Sequence, residues 1–357
     1  MVAIHSAAAS GDDTVETVSA LCARIKADVD APDFLYVFYG CAHDSAFIQQ
    51  TVSTAFPDTP FLGGTSCAGV MTEERLWDPQ TIGMLVIEDP DGDYGVALSR
   101  IGDDPAKAAE AALHRALFSA GCPGEVPELI WVFQAPGQEE EIVGGLRRIV
   151  GDTCPIIGGS AADDTVEGNW MQIGPDGAYS DAFVVGVLFT SGGIGYSFQG
   201  GYEPAGPSGI VTRVGFCPSG SAGTVTKARG RTILQIDGES AADIYNGWSG
   251  NIIADKLKAG GNILEQTTMY PLAVDAGEVG GIPHYLLIHP EAVKNGGGLS
   301  TFATIEEGAR VYSMRGDRER LVERAGRVAS EAAARLPDGP ESLAGGLVVY
   351  CAGCMLA

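Results

Sequence analysis

Positive charge is scarce in this chain. Its 357 residues include 22 lysines and arginines against 46 aspartates and glutamates, which gives a formal net charge of −24 at pH 7. Nucleic-acid phosphates and anionic lipid headgroups are both bound by basic surfaces, so we expect no nucleic-acid partner and no membrane surface as a partner. No apolar run approaches the roughly 20 residues of a membrane-spanning helix, so we expect no membrane insertion either.

Histidine and cysteine are also sparse. The chain has five histidines, and its eight cysteines are too few for a disulfide framework in a protein of this length. The amino terminus carries Asp12 and Asp13 early and has no basic leader, which argues against a secretory signal peptide. We therefore expect a cytoplasmic protein with free thiols.

The sequence contains an internal repeat, whose two copies are separated by a constant number of residues. An apolar run at 34–39, a helical segment and a second apolar run that ends in glycines recur at 129–159. Val37 and Val132 are 95 residues apart, and so are Pro60 and Pro155. A repeat of this length is a structural unit that completes its core by packing against its neighbour, and each copy predicts a βαβ unit.

Apolar runs joined by turn residues follow each copy, at 82–88 with 94–101 and at 183–189 with 195–198. They predict a β-hairpin after each βαβ unit. The predicted fold class is therefore α/β, with duplicated βαβ-plus-β-hairpin units over 34–101 and 129–198 that form mixed sheets. A glycine- and proline-rich change of composition near residue 220 divides the chain into domains 1–220 and 221–357.

The carboxyl-terminal part predicts a related α/β domain. Its periodicity favours strands at 225–228, 232–236, 285–288, 308–314 and 345–350, and helices at 240–248 and 318–334. The last strand is followed by Cys351-Ala352-Gly353-Cys354, which resembles the Tyr39-Gly40-Cys41-Ala42 that ends the first strand of the repeat.

The predicted topology locates a site. A right-handed crossover makes the two strands of a βαβ unit parallel, so we expect the tips after residues 39, 62, 134 and 157 to lie along a single rim. The small residues there leave room for a ligand and expose backbone N–H donors. The alternative is that the glycines only permit tight turns and close strand packing.

Five short sequence motifs, in a fixed order along the chain, are similar to those of a known family. They are residues 63–69 and 157–164 in the amino-terminal half, and 225–238, 298–313 and 350–354 in the carboxyl-terminal half. This arrangement resembles the FIST family, a two-part sensory module, and implies a FIST N-like domain over 1–220 and a FIST C-like domain over 221–357. Cys354 stands where many relatives have arginine, and the family's final helix and strand are absent, so we expect a FIST C-like domain that is truncated.

The resemblance implies a sensory protein of intracellular signal transduction, with a small ligand bound at strand-end loops between the two domains. It also implies a signalling partner such as a histidine kinase, a chemoreceptor or a cyclic-nucleotide-signalling enzyme. Thr65, Ser66 and Ser160 would orient the ligand. The full set of expected ligand-binding residues is Cys41, His43, Gly64, Thr65, Ser66, Cys67, Gly159, Ser160, Asp163, Cys351 and Cys354.

Asp163 and the adjacent Asp164 have two interpretations. Their carboxylates would suit a ligand amine or a hard cation, but either could instead cap the next segment of chain.

Several alternatives stay open for the cysteines and histidines. Cys351 and Cys354, or Cys67, could be the reactive thiols of an enzyme that catalyses redox or transfer chemistry. Cys41, Cys67, Cys351 and Cys354 could instead bind zinc together. The third alternative is that buried cysteines only fill space in the core. Some FIST relatives are similar to haem-binding nitric-oxide sensors, which makes His43 or His289 a candidate axial ligand of haem b. We assign no catalytic residue, because neither a nucleophile elbow nor a phosphate-binding glycine motif occurs in the required context.

Overall fold

The computed structural model describes residues 2–165, 167–198, 202–214, 230–279 and 282–351. Within them the chain forms two compact units, one made of residues 2–196 and 333–351 and the other of 197–332. Helices and mixed sheets alternate along the chain, so the predicted α/β class with mixed sheets is confirmed. Among the helices of the described residues, none combines the length and the apolar character needed to cross a membrane.

The first unit begins with strands and helices in regular alternation. Its strands are β1 (Ala3–Ser10), β2 (Phe34–Tyr39), β3 (Phe61–Thr65), β4 (Thr81–Glu88), β5 (Asp93–Arg100), β6 (Leu129–Gln134), β7 (Ile156–Ser160), β8 (Gln172–Gly174), β9 (Gly177–Tyr179) and β10 (Ala182–Phe189). Its helices are α1 (Thr14–Asp28), α2 (Ser45–Ala55), α3 (Pro105–Ser119) and α4 (Glu139–Val150). Asp13, Asp44 and Asp104 begin three of them, because each carboxylate accepts a free N–H of the first turn.

The two sheets of this unit share one topology. The first contains β1, β4, β2 and β3 in that order, with β2 parallel to β3 and the other pairs antiparallel. The second contains β5, β10, β6 and β7 in the same arrangement. Each copy is thus β-α-β-α-β-β and begins one strand and one helix earlier than the sequence pattern indicates. The hairpin β8–β9 of the second copy extends the first sheet beyond β3.

The unit has four layers, helix, sheet, sheet and helix. Alternate side chains of β2 face α1 and α2, among them Val37, while Phe34, Tyr36 and Phe38 face the second sheet. Tyr36 meets Trp131 and Phe38 meets Phe133, each with ring centroids 5.3 Å apart. Helices α3 and α4 cover the outer face of the second sheet in the same way. Three apolar layers therefore fix the positions of the strand ends.

The β-hairpins expected after each βαβ unit are not formed. A tight turn at 89–92 joins β4 to β5, but β4 pairs with β1 and β2 whereas β5 pairs with β10. Residues 195–198 form no strand. The physical reason is that β4 and β5 are largely buried on both faces, so each becomes an inner element of a layered core and the turn carries the chain from one sheet to the other.

The strand expected at 345–350 is not formed either. Residues 343–351 have no regular secondary structure, and Val348 and Val349 are 62% and 53% exposed. Leu347 packs against the cluster between the two sheets. A Cβ built on Gly159 would lie 3.2 Å from Val349 Cγ1. The segment therefore runs past β7, but half of its apolar side chains lack the covering layer that a buried strand needs.

The second unit is built on antiparallel strands. They are β11 (Tyr202–Val214), β12 (Thr232–Ile236), β13 (Glu239–Ser240), β14 (Gly261–Asn262), β15 (Leu272–Val279), β16 (Ile282–Ile288), β17 (Pro290–Lys294), β18 (Gly298–Thr301) and β19 (Arg310–Gly316). In the part described, they pair in the order β14, β17, β18, β12, β11, β19, β15, β16, and β13 adds to β12.

Helices α5 (Ala241–Trp248), α6 (Lys256–Ala259), α7 (Leu264–Thr267) and α8 (Arg318–Ala334) and the 3-10 helix Pro340–Ser342 complete the described chain. The helices expected at 240–248 and 318–334 and the strands expected at 232–236, 285–288 and 308–314 are present. The strand expected at 225–228 lies outside the described residues.

Candidate functional site

The carboxyl ends of β2, β3, β6 and β7 lie along one edge of the first unit, which we call the rim. Three backbone hydrogen bonds connect them. Ser66 N–H donates to the Tyr39 carbonyl over 2.8 Å, and Ala161 N–H donates to the Gln134 carbonyl over 2.7 Å. Ala162 N–H donates to the Thr65 carbonyl over 3.4 Å and so links the two copies.

Asp164 joins three loops of the rim. Its Oδ2 accepts a hydrogen bond from the Cys41 thiol, with Sγ 3.1 Å away, and its Oδ1 accepts one from the Ala68 N–H over 2.6 Å. Ala68 has a φ of 61°, a conformation that costs energy for a residue with a side chain. We call the half-buried residues Cys41, Ser66, Cys67, Ala68 and Asp164 the Asp164 cluster.

The two thiols of the Asp164 cluster are protonated at neutral pH. Burial raises the pKa of both Cys41 and Cys67, and the nearby negative charges of Asp164 and Asp163 raise it further. At neutral pH a thiol with a raised pKa is mainly a hydrogen-bond donor, and only its small thiolate fraction is nucleophilic. This argues against Cys67 as the nucleophile of a thiol-dependent enzyme.

Asp163 organises its own loop. Its side chain is 1% exposed and accepts hydrogen bonds from the N–H groups of Thr165, Glu167, Gly168 and Asn169 and from the Thr165 hydroxyl, over 2.6–3.1 Å. Burial by itself raises the pKa of Asp163, but these hydrogen bonds outweigh it and the net pKa is lowered. The capping alternative therefore describes Asp163 better than a ligand-binding role does.

The space beside the rim glycines is filled by neighbouring atoms of the chain. A Cβ on Gly63 would lie 1.7 Å from the Val37 carbonyl oxygen, and the equivalent Cβ on Gly158 would lie 1.8 Å from that of Val132. A Cβ on Gly64 would meet the side chain of Phe133 at 2.5 Å. The room that we expected at Gly64 is thus filled by the second copy.

Thr65 is buried as well. Its Oγ1 accepts a hydrogen bond from the Met171 N–H over 3.0 Å, so its hydroxyl fastens the chain that leads into β8.

In the second copy, the tip of β7 carries an exposed polar side chain. Ser160 Oγ donates to Glu139 Oε1 over 2.8 Å, and Gly137 N–H donates to the same carboxylate over 3.0 Å. Gly159 is half-buried beside Val349. The sequence alone does not reveal this bond between Ser160 and Glu139.

The histidines do not form a haem site at the rim. His43 is 6% exposed, its Nδ1 lies 3.1 Å from Thr14 Oγ1, and its Nε2 is buried with no hydrogen-bond partner among the described residues. An axial ligand needs a ring nitrogen that faces a space wide enough for a porphyrin, and His43 does not meet this requirement. His289 lies in the second unit, half-buried after β16.

The cysteines at the end of the chain are not brought into the Asp164 cluster by a strand. Cys351 is exposed and follows the irregular segment 343–350, and Cys354 lies outside the described residues. Among the residues with described positions, no group of three or more histidine, cysteine or acidic side chains could hold a metal ion. The four-cysteine zinc site is therefore not supported there.

One surface hollow of about 590 Å³ lies elsewhere, at the start of α8. It is lined by Asp317, Arg318, Glu319, Val322 and Glu323. Its walls are exposed side chains of one short stretch of chain. We place the candidate site at the rim instead, because three separate loops converge there on one carboxylate.

Comparison with known proteins shows that the chain matches the domains of one family. Residues 33–215 match the FIST N domain and residues 241–357 match the FIST C domain. None of the curated proteins compared matches the chain.

Two solved structures of cyanuric acid hydrolase show weak similarity. The one from A. caulinodans has a TM-score of 0.31 at 12% identity and covers 59% of this chain and 72% of its own. The other, described as evolutionary innovation by structural concatenation, has a TM-score of 0.30 at 8% identity and covers 80% of this chain and 85% of its own. Similarity at this level carries no argument about this chain.

Proposed function

The chain belongs to the FIST family, whose domains are associated with sensory signal transduction, and from this premise we propose that it senses a small molecule bound at the rim of its first unit. The observation that carries the proposal is the convergence of three strand-end loops on Asp164. Ligands of α/β proteins commonly bind at the carboxyl ends of strands. Cys41, Ser66 and Cys67, all half-buried, would contact the ligand.

The charge at the rim favours a ligand that carries a protonated amine. Asp164 accepts hydrogen bonds from a thiol and a backbone N–H, both neutral groups. It takes part in none of the ion pairs found among the described residues. A half-buried carboxylate without a cationic partner gains from a cation more than an exposed one does, because water screens it less.

The signal would arise from competition for Asp164. A bound cation draws electron density from the carboxylate oxygens that hold Cys41 and Ala68, so it favours a different arrangement of the loops after β2 and β3. Binding then shifts the population toward that arrangement. A signalling partner, such as a histidine kinase, a chemoreceptor or a cyclic-nucleotide-signalling enzyme, would read the difference.

Native mass spectrometry of protein purified from its own host tests the proposal directly. We expect a co-purifying small molecule on the wild-type chain and on Asp91→Asn, but not on Asp164→Asn. Asp91 is the matched control, because it is an exposed aspartate in the turn at the opposite edge of the first sheet. Loss of one charge-assisted contact of about 1.5–3 kcal/mol lowers affinity roughly 10- to 100-fold.

A panel of primary amines in a thermal-shift assay covers the case in which the ligand is lost during purification. We expect at least one amine to raise the melting temperature of the wild-type chain and of Asp91→Asn but not of Asp164→Asn. Equal responses of both variants would show that Asp164 does not bind the ligand. An absence of both adduct and thermal response in the wild-type chain would contradict an amine-binding rim.

A further inference from the structure

We propose that Cys41 and Cys67 form a redox modification site, at which a hydroperoxide converts the two thiols into an intramolecular disulfide across the ends of β2 and β3. The inference does not depend on ligand binding at the rim. Three features support it: the register of β2 and β3, the bonds of Asp164 to Cys41 and to Ala68, and the partial exposure of both cysteines.

The register places the two cysteines at equivalent positions beyond the ends of neighbouring strands. Tyr39 and Thr65 are partners in the parallel pair β2–β3, and the Ser66 N–H continues the pairing by donating to the Tyr39 carbonyl. Cys41 and Cys67 each follow two residues after these partners. Neighbouring strands lie about 4.8 Å apart, and a disulfide spans Cα atoms about 4.4–6.8 Å apart.

Asp164 contacts Cys41 and the residue that follows Cys67. The Cys41 thiol donates to its Oδ2 over 3.1 Å, and the N–H of Ala68, the residue bonded to Cys67, donates to its Oδ1 over 2.6 Å. The two thiols are close enough for Cys41 to contribute to the raised pKa of Cys67. One carboxylate therefore fixes the loop of each cysteine.

Accessibility separates this pair from Cys22, Cys122 and Cys154. Cys41 and Cys67 are half-buried, whereas Cys22, Cys122 and Cys154 are buried. Burial raises the pKa of Cys22 and of Cys154 to about 11. In the folded chain the first two cysteines are therefore the more accessible to a hydroperoxide, and the three buried cysteines serve as internal controls.

The reaction proceeds in two balanced steps. One thiol loses its proton, and its sulfur attacks an oxygen of the hydroperoxide R–O–OH; an S–O bond forms, the O–O bond breaks, and the alcohol R–OH leaves. The sulfur of the other thiol then attacks the resulting sulfenic acid, an S–S bond forms, and water leaves with the remaining proton. Two thiols are oxidised by two electrons, and one hydroperoxide is reduced to alcohol and water.

Disulfide formation changes the rim. The Cys41 sulfur loses the hydrogen that it donates to Asp164, so the carboxylate keeps only its bond to Ala68. The loop after β2 is then tied to the loop after β3 and no longer to the second copy. Oxidation would therefore release the loop after β2 from Asp164, while the loop after β3 stays bound to it through Ala68.

Peptide mapping after hydrogen peroxide treatment tests the inference. The full chain carrying Cys351→Ser, which removes an exposed thiol that could cross-link two molecules, is oxidised, digested without reductant and analysed by mass spectrometry. We expect a linked pair of peptides containing Cys41 and Cys67, with Cys22, Cys122 and Cys154 still reduced. Sulfenic or sulfinic acid at the two sites without the link would overturn the proposal, and so would a link to any buried cysteine.

The pH dependence gives a second readout. Because the thiol that attacks the hydroperoxide must first lose its proton, the rate of linkage should rise about tenfold per pH unit below the pKa of that thiol. Asp164→Asn removes the neighbouring negative charge and should accelerate linkage at pH 7, whereas Asp91→Asn should leave the rate unchanged. A rate independent of pH, or an Asp164→Asn variant slower than the wild-type chain, would show that Asp164 does not govern the thiols.

Discussion

Replacement of Asp89 by alanine should destabilise the first unit strongly. Asp89 lies in the turn between β4 and β5, and its side chain is fully buried. It accepts hydrogen bonds from the Tyr94 hydroxyl over 2.7 Å, from the Ser191 N–H over 2.9 Å and from the Ser191 hydroxyl. This carboxylate therefore connects the turn between β4 and β5 to the residues that follow β10.

The size of the effect follows from what the variant leaves behind. Each buried donor that loses its acceptor costs about 1–3 kcal/mol. Tyr94 is 7% exposed and cannot turn to water, whereas Ser191 is exposed and regains bonds to solvent. We therefore expect Asp89→Ala to lower the free energy of unfolding by about 1–3 kcal/mol, which corresponds to roughly 2–12 °C in melting temperature for a unit of this size.

Thermal and urea unfolding followed by circular dichroism measure this loss. Asp91→Asn, two residues further along the same turn and exposed, should change the stability by less than about 0.5 kcal/mol. In the Asp89→Ala background, Tyr94→Phe should restore part of the loss because it removes the hydroxyl left without an acceptor. A loss below about 1 kcal/mol in Asp89→Ala, or no recovery with Tyr94→Phe, would show that the Asp89 carboxylate is not an essential acceptor for the Tyr94 hydroxyl.

Three further outcomes are expected. Gly63→Ala should abolish soluble expression or cost at least about 3 kcal/mol, because its Cβ would lie 1.7 Å from the Val37 carbonyl oxygen; normal melting would contradict this. The lowered pKa of Asp163 stabilises the folded state at any pH above the unfolded value near 4. This contribution disappears as the pH falls through the folded value, so urea titrations at pH 7 and pH 3 should differ less for Asp163→Ala than for the wild-type chain. Tyr245→Phe should cost about 1 kcal/mol in the second unit, because its buried hydroxyl donates to the Tyr270 carbonyl over 2.7 Å; an unchanged urea midpoint would exclude a stabilising bond.

The sequence predicts those parts of the fold that local periodicity determines. The apolar stripe at 318–334 gives α8, and the fixed offset of 95 residues locates β2, β3, β6 and β7. It does not reveal that each copy begins one strand earlier, because β1 is rich in alanine and serine and lacks a strong apolar pattern. The turn at 89–92 suits a hairpin, but turn chemistry does not determine which sheet the next strand joins.

For the candidate site, the sequence predicts the position in the fold but not the orientation of its side chains. Crossover handedness is sufficient to bring the strand tips to one edge. It cannot determine which of two adjacent aspartates turns inward, because that depends on the dihedral angles of a loop with four backbone N–H groups around Asp163. The sequence also could not predict that the space at Gly64 is filled, because the side chain that fills it, Phe133, belongs to the other copy.

The interlocked order of the strands has a consequence for how the first unit folds. Hairpin β8–β9, from the second copy, caps the strand β3 of the first. A fragment cut after residue 101 would therefore present an open edge with unsatisfied main-chain groups, which is a template for aggregation. The duplicated halves are thus expected to melt in a single cooperative step, even though each carries its own helices and its own sheet.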